Sequence, residues 1–366
     1  MRQNAGRLNL PKSGEPCPPA GNYRKYRLPR GMHMLKIRKL KIGNIELKNN
    51  LLLAPMAGIS DLPMRLLAKA GGAGLVYTEM VSAKALVYGD KKTRKLFTVH
   101  KDERPVSVQI FGADVRSMGE AAKIISGCGA DIIDINLGCP ARKVAKAGAG
   151  AKLLDNEKLT AGILSSVVKS AGIPVTVKIR TGLVPGQNAA PEILRLAYEC
   201  GVKMAAVHAR PASQGHSGEP DIKAFEEACA LSKIPVVGNG AIADEASARK
   251  FLEVKNCAGL MIGRGAVGNY SVFKRLESFF NSGILLETPS VKERIFWFKI
   301  HAASAVQYYG EERAYILLRK VSHYYLKDLP NAAKIRDMFN KVTKTAGFEE
   351  LLKYINHNLP EKIKID

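Results

Sequence analysis

Acid is scarce in this chain of 366 residues: 33 Asp and Glu stand against 56 Lys and Arg, a formal net charge of +23. A field of that sign favours nucleic acid or an anionic membrane surface as partner. Long apolar runs are also missing, and none approaches the roughly 18 residues a membrane span needs. The charged N-terminus lacks the apolar segment of a secretory signal. The six cysteines, at 17, 128, 139, 200, 229 and 257, form no C-x-x-C pair and have no neighbouring histidine spacing. Zinc and iron–sulfur ligation and a disulfide framework are therefore disfavoured, and the expected setting is a reducing cytosol. No G-x-G-x-x-G turn follows the first strand-like run, and no internal repeat is visible.

The basic surplus is spread along the chain. Residues 1–50 carry 12 Lys/Arg against 2 Asp/Glu, residues 51–290 carry 30 against 22, and residues 291–366 carry 14 against 9. Residues 1–31, rich in Pro, Gly, Arg and Asn, read as disordered, as a basic arm for nucleic acid, or as an extension ahead of a start at Met32 or Met34. From Lys36 onward, strand-like runs fall at 51–54, 75–79, 106–111, 131–136, 175–180, 204–208, 235–239 and 259–263. Helix-compatible stretches between them include 63–70, 116–128, 156–170, 191–200 and 245–253. This alternation is that of an α/β chain, a (β/α)8 TIM barrel, with a doubly wound open sheet as competitor. After Phe280 the pattern turns helical without convincing strands, at 288–309, 311–326 and 331–345. Three parts follow: a basic disordered extension at 1–33, a barrel at 34–285 and a helical bundle at 286–366.

The stretch 130–154 organises the rest. A buried-strand run ends at Gly138-Cys139-Pro140, and Pro140 restricts the backbone of Cys139, holding the thiol in one direction. Arg142, Lys143 and Lys146 follow, so the thiol reads as a reacting group facing a polyanion, or as a small apolar side chain in a turn. In a barrel, reacting groups sit at the carboxyl ends of strands. Those ends supply Pro55, Met56, Ala57, Glu79, Met80, Gln109, Asn136, Lys178, Arg180, His208 and Arg210. The last two add Asn239-Gly240-Ala241 and Gly263-Arg264, glycine turns that suit a phosphate. Lys178 and Gln109 suit the pyrimidine edge of a flavin, where a cation steadies the reduced anionic ring. His208 and Arg210 suit phosphate or RNA contact.

These residues resemble those of the dihydrouridine synthase family, most of all its bacterial B-type branch, from about 51 to 340. The motifs are LAPMAGISDLPMR at 53–65, TEM at 78–80, QIFGAD at 109–114, INLGCPARKVAKAGAGAKLL at 135–154, VKIRTG at 177–182, HARPASQGHSG at 208–218, VVGNGAI at 236–242 and GLMIGRGAVGN at 259–269. The tail fits through FKIHAASAVQYYGEERA at 298–314 and RKVSHYYLKDLPNAAKIRD at 319–337. The resemblance implies reduction of uridine to 5,6-dihydrouridine in tRNA by a cytoplasmic, monomeric, metal-free enzyme that uses FMN and NADPH. It places FMN against Pro55, Met56, Ala57, Gln109, Lys178, His208, Asn239, Gly240, Ala241, Gly263 and Arg264. It makes Cys139 the proton donor and puts Asn136 near the substrate, with Arg142, Lys143 and Arg210 toward RNA. The chain departs from the pattern at Leu137, Ala209-Pro211, Ala241 and the small-residue loop 147–149. Ribosomal RNA as substrate, a flavin dehydrogenase of a free pyrimidine, and an RNA-binding protein on a degenerate barrel are the alternatives. On the main reading, removing residues beyond about 285 weakens RNA affinity while leaving flavin binding.

Overall fold

Aliphatic residues on both faces of successive strands require cover on both sides, which a closed parallel barrel inside a helical ring provides. The computed structural model, which describes residues 35–359 and, as backbone only, Tyr23–Lys25, has that arrangement. The barrel strands are β1 (Leu51–Leu53), β2 (Val76–Tyr77), β3 (Val106–Phe111), β4 (Ile132–Leu137), β5 (Val175–Arg180), β6 (Met204–His208), β7 (Val236–Asn239) and β8 (Cys257–Ile262). They pair in parallel in chain order, and β8 returns to β1. Closure between β1 and β2 is made at Leu52 and Leu75, with the Leu53 N–H donating to the Leu75 carbonyl at 2.9 Å. A closed ring excludes the open doubly wound sheet.

Register then sets which side chains meet at the carboxyl end. Asn136 lies opposite Lys178, Arg180 opposite His208, and His208 opposite Asn239. The barrel interior packs Leu52, Leu75, Ile132, Met204, Val237 and Met261 into one core. The same core takes Leu40, Ile42 and Leu47 from an amino-terminal hairpin, Leu40–Ile42 with Ile45–Leu47.

Most barrel helices begin where the sequence offers a cap. Helix α1 (Leu62–Ala70) starts at Asp61, α2 (Val115–Ser126) at Asp114, α3 (Glu157–Ser170) at Asn156, and each cap side chain accepts a backbone N–H. Helices α4 (Ala190–Glu199), α5 (Ile222–Leu231), α6 (Glu245–Leu252) and α7 (Val272–Ser282) complete the ring, α7 ending at the left-handed Gly283. The tail holds α8 (Val291–Tyr309), α9 (Glu311–Leu318), α10 (Ser322–Leu326), α11 (Ala332–Lys341) and α12 (Thr345–His357). The single helical stretch expected over 311–326 is two helices, and α12 lies mostly beyond the last expected one. A strand after Phe280 was not expected, yet Ile284–Leu286 pairs antiparallel with Tyr23–Lys25. Disorder was expected for all of 1–31; those three residues form a strand, and residues 1–22 and 26–34 lie outside the described residues.

The tail is fastened to the barrel by buried polar groups. Tyr270, just ahead of α7, shares its hydroxyl with Tyr325 of α10 at 2.6 Å, and Tyr325 reaches His301 Nδ1 of α8 at 2.7 Å. The Tyr309 hydroxyl donates to Asp61 Oδ2 at 3.0 Å, joining the end of α8 to the cap of α1. Burial pushes the Asp61 carboxyl up to about 6.

Candidate active site

A cavity of about 920 Å³, the size of an ordinary ligand site, opens at the carboxyl ends of the strands. Its polar wall is built on Asp134 of β4, fully buried, whose Oδ1 accepts the Thr176 hydroxyl at 2.6 Å. Its Oδ2 accepts Gln109 Nε2 at 2.7 Å, and Gln109 Oε1 in turn accepts Asn136 Nδ2 at 2.8 Å. That leaves Asn136 Oδ1 free to accept the backbone N–H groups of Gly138 (3.1 Å) and Cys139 (2.9 Å). A relay across three strands thus fixes where the cysteine loop leaves the barrel. Burial holds Asp134 up to about 6 against the pull of its two donors and of Lys178.

From there the loop turns sharply. Cys139, half-buried, lends its carbonyl to the Ala151 N–H at 3.1 Å. Gly150, at φ +65°, sits so close that a Cβ there would meet that carbonyl at 2.6 Å. Only glycine satisfies both demands. Between them runs a short helix, Arg142–Lys146, that buries Val144 and exposes Arg142, Lys143 and Lys146.

Positive charge is concentrated on the neighbouring strands β5 and β6 and the loop after β6. Lys178, half-buried, makes no hydrogen bond or ion pair among the described residues, and burial beside Arg180 pulls it down to about 7. Arg180 ties two loops together, donating to the carbonyls of Gly138 (2.9 Å), Pro211 (3.0 Å) and Gly215 (2.9 Å). Arg210 Nη1 stands 3.2 Å from His208 Nε2. Guanidinium only donates, so that nitrogen accepts and the ring proton sits on Nδ1. Burial and the cations Lys178 and Arg180 push His208 far below the usual imidazole range, so the ring is neutral. His216 stacks on it with centroids 5.7 Å apart.

The glycine turns follow β7 and β8. Asn239 Nδ2 donates to the Met261 carbonyl at 2.7 Å and joins the two strands. Gly240 takes φ +141°, and Ala241, at φ +50°, is held in the left-handed region that a residue with a Cβ enters at a cost of about 1 kcal/mol. A Cβ at Gly240 would press to 3.4 Å on His208. These features fit a flavin nucleotide: an unpartnered ammonium and the buried, unpartnered Nε of Arg210 await an anion, and two backbone turns clear room for a phosphate.

Pro55, Met56, Ala57, Gln109, Asn136, Cys139, Lys178, His208, Arg210, Asn239, Gly240, Ala241, Gly263 and Arg264 all line this one cavity. Arg142 and Lys143 do not; they are exposed on the helix beyond Cys139. Met80 and Arg180, read from sequence only as strand ends, are lining residues too. His216 was given no role by its sequence context. Unforeseen altogether are Thr288, Pro289, Arg294, Tyr324 and Lys327, which the tail brings to the cavity. No local sequence signal marks them, because only the docking of the tail puts them there.

A (β/α)8 barrel with a cationic cavity at the carboxyl ends of its strands is the class this fold and site define. The dihydrouridine synthase family model matches residues 52–362. Similar relatives include a probable tRNA-dihydrouridine synthase of Rickettsia conorii, 36% identical over 85% of this chain and 94% of its own length. The tRNA-dihydrouridine synthase B of Escherichia coli is 37% identical over 83% of this chain and 94% of its own length. Among solved structures, the old yellow enzyme of Trypanosoma cruzi superposes with a TM-score of 0.51 at 12% identity, over 71% of this chain and 95% of that one, a likeness of fold. The chain belongs to the dihydrouridine synthase family and is an oxidoreductase.

Proposed function

We propose that this protein reduces uridines of tRNA to 5,6-dihydrouridine in the cytoplasm, as a monomer, with FMN bound in the cavity and NADPH as electron source. The observation that carries this reading is a single thiol, Cys139, aimed by Asn136 and Gly150 and sharing one cavity with Gln109, Lys178 and two phosphate-sized glycine turns. Lys178 and Gln109 would hold the pyrimidine edge of the flavin with His208 beside them, and the turns at Asn239–Ala241 and Gly263–Arg264 would hold its phosphate. Pro55, Met56 and Ala57, which line the same cavity, would contact the flavin as well. When bound and reduced, FMN supplies a hydride to carbon 6 of uracil.

The chain's own residues do the remaining work. Uracil cannot be reached inside stacked RNA, so the base is extruded into the cavity. Asn136 orients the base beside Cys139. As carbon 6 gains its hydride, negative charge grows on the enolate, and the Cys139 Sγ–H transfers its proton to carbon 5. Solvent then reprotonates the thiolate. Arg210, Arg142, Lys143 and the basic tail hold the surrounding phosphates.

Replacing Cys139 by Ala is expected to cut dihydrouridine formation by about 10²–10⁴-fold, while FMN content and tRNA affinity stay near wild type. Unchanged turnover would remove the thiol from the mechanism. Maps of dihydrouridine in total RNA from cells with and without the gene should differ at one or more tRNA positions. A difference confined to ribosomal RNA, or no difference, would overturn the tRNA reading.

A further inference from the structure

The loops after β2, β3 and β4 lie side by side on the carboxyl face, because those strands are neighbours. The first loop continues a strand extension, Val81–Ser82, through a short helix, Ala83–Val87, to a second, Lys91–Leu96. Between them Tyr88 is 78% exposed, the highest value among the exposed large hydrophobic residues described. Helix Lys91–Leu96 fully buries none of its residues and only Leu96 packs on the core, so packing does not account for its four cations. Lys84, Lys91, Lys92, Arg94 and Lys95 are exposed and make no ion pair among the described residues.

Nearby acids are already engaged. Asp90 accepts the Thr93 N–H at 2.6 Å, Asp114 accepts the Ser117 N–H at 2.7 Å, and Glu120 pairs with Arg116 at 2.8 Å. The surface is continuous with the active site. A Cβ at Gly112 would lie 3.5 Å from Ala83 Cβ, which joins the second loop to the first. One at Gly148 would lie 3.5 Å from Ala113 Cβ, which joins the third loop, with Cys139, to the second.

We propose that this arc is a track for the single-stranded RNA flanking the target uridine, with one base stacked on Tyr88 and phosphates held by Lys84, Lys91, Lys92, Arg94 and Lys95. The inference rests on the tRNA reading above. An exposed aromatic ring among unpaired cations is the chemistry of sequence-tolerant single-strand binding, since every base has a face to stack and every nucleotide a charge to neutralise. An anionic protein partner would use the cations and leave the ring idle. The tail side chains Thr288, Arg294 and Lys327 line the cavity itself, so the arc would extend an RNA contact that begins there.

The test uses the intact holoenzyme and tRNA from cells lacking the gene, with affinity measured across a range of KCl. Tyr88→Ala should weaken binding about 10-fold and Tyr88→Phe should not, since stacking needs the ring and not the hydroxyl. The triple variant Lys91→Ala, Lys92→Ala, Lys95→Ala should lower the slope of log affinity against log salt by about 2. Melting temperatures should be unchanged in all three, because Tyr88, Lys91, Lys92 and Lys95 are all exposed. Wild-type affinity and slope in Tyr88→Ala and the triple variant would overturn the track. If wild-type enzyme binds this tRNA through the arc but forms no dihydrouridine, the activity reading fails and the track stands.

Discussion

Lys178 carries opposite demands in the empty and loaded cavity. Burial beside Arg180 lowers its pKa from 10.5 to about 7. Between those values the unfolded chain binds a proton that the folded chain has released, so stability from this group rises with pH. The destabilisation is fully present below about pH 7 and fades toward 10.5. Replacing Lys178 by Met should therefore raise the melting temperature of the flavin-free protein at pH 6, with the gain shrinking by pH 9. Equal melting temperatures at both pH values would mean the ammonium is not held out of water. On the proposed reading the same variant should bind FMN more weakly, because the cation that costs stability is the one proposed to meet the flavin, a trade seen where function requires an uncompensated charge. Neutral His208 follows the same logic: a further positive charge beside Lys178, Arg180 and Arg210 would have no partner.

Helices and strands divide into those whose residues announce them and those that depend on contacts. Strands β3 to β6 were legible because an aliphatic run buried on both faces looks the same wherever it occurs, and their polar ends marked the cavity. Lys178 and Cys139 were legible for that reason. The strand Ile284–Leu286 was not, since three residues paired with a segment some 260 positions away leave no periodicity. The break of 311–326 at 319–321 was equally hidden. It brings Tyr324 to the cavity and Tyr325 to the barrel contact, both tertiary events. The Tyr270–Tyr325–His301 network should be what seats α10. Tyr325→Phe keeps the stacking on Phe298 at 4.6 Å but removes the hydroxyl that satisfies His301 Nδ1. A loss of about 1–3 kcal/mol is expected by denaturant titration. No loss would mean Tyr270, 3.4 Å from the same nitrogen, takes over the bond.

At the scale of the whole molecule, the barrel and the tail share their core and their cavity. Ile295, Trp297 and Phe298 of α8 belong to the same hydrophobic cluster as Met64 and Leu67 of α1 and Phe273 of α7. Arg294 and Lys327 line the cavity that Cys139 lines. The sequence alone suggested a detachable RNA-binding tail whose loss spares flavin binding. Shared burial argues otherwise: removing residues 286–366 would uncover Tyr270 and the part of α1 that packs on α8, buried side chains worth about 1.5–3 kcal/mol each. A few such losses, with the polar fastenings gone as well, are comparable to the 5–15 kcal/mol by which a typical domain is stable. The shortened chain is expected to be insoluble, or to melt far below the full protein, and to lose FMN together with tRNA binding. Recovery of a soluble yellow barrel that binds FMN as tightly as the full chain would show that the tail only adds RNA contacts. It would return the separable arrangement that the sequence suggested.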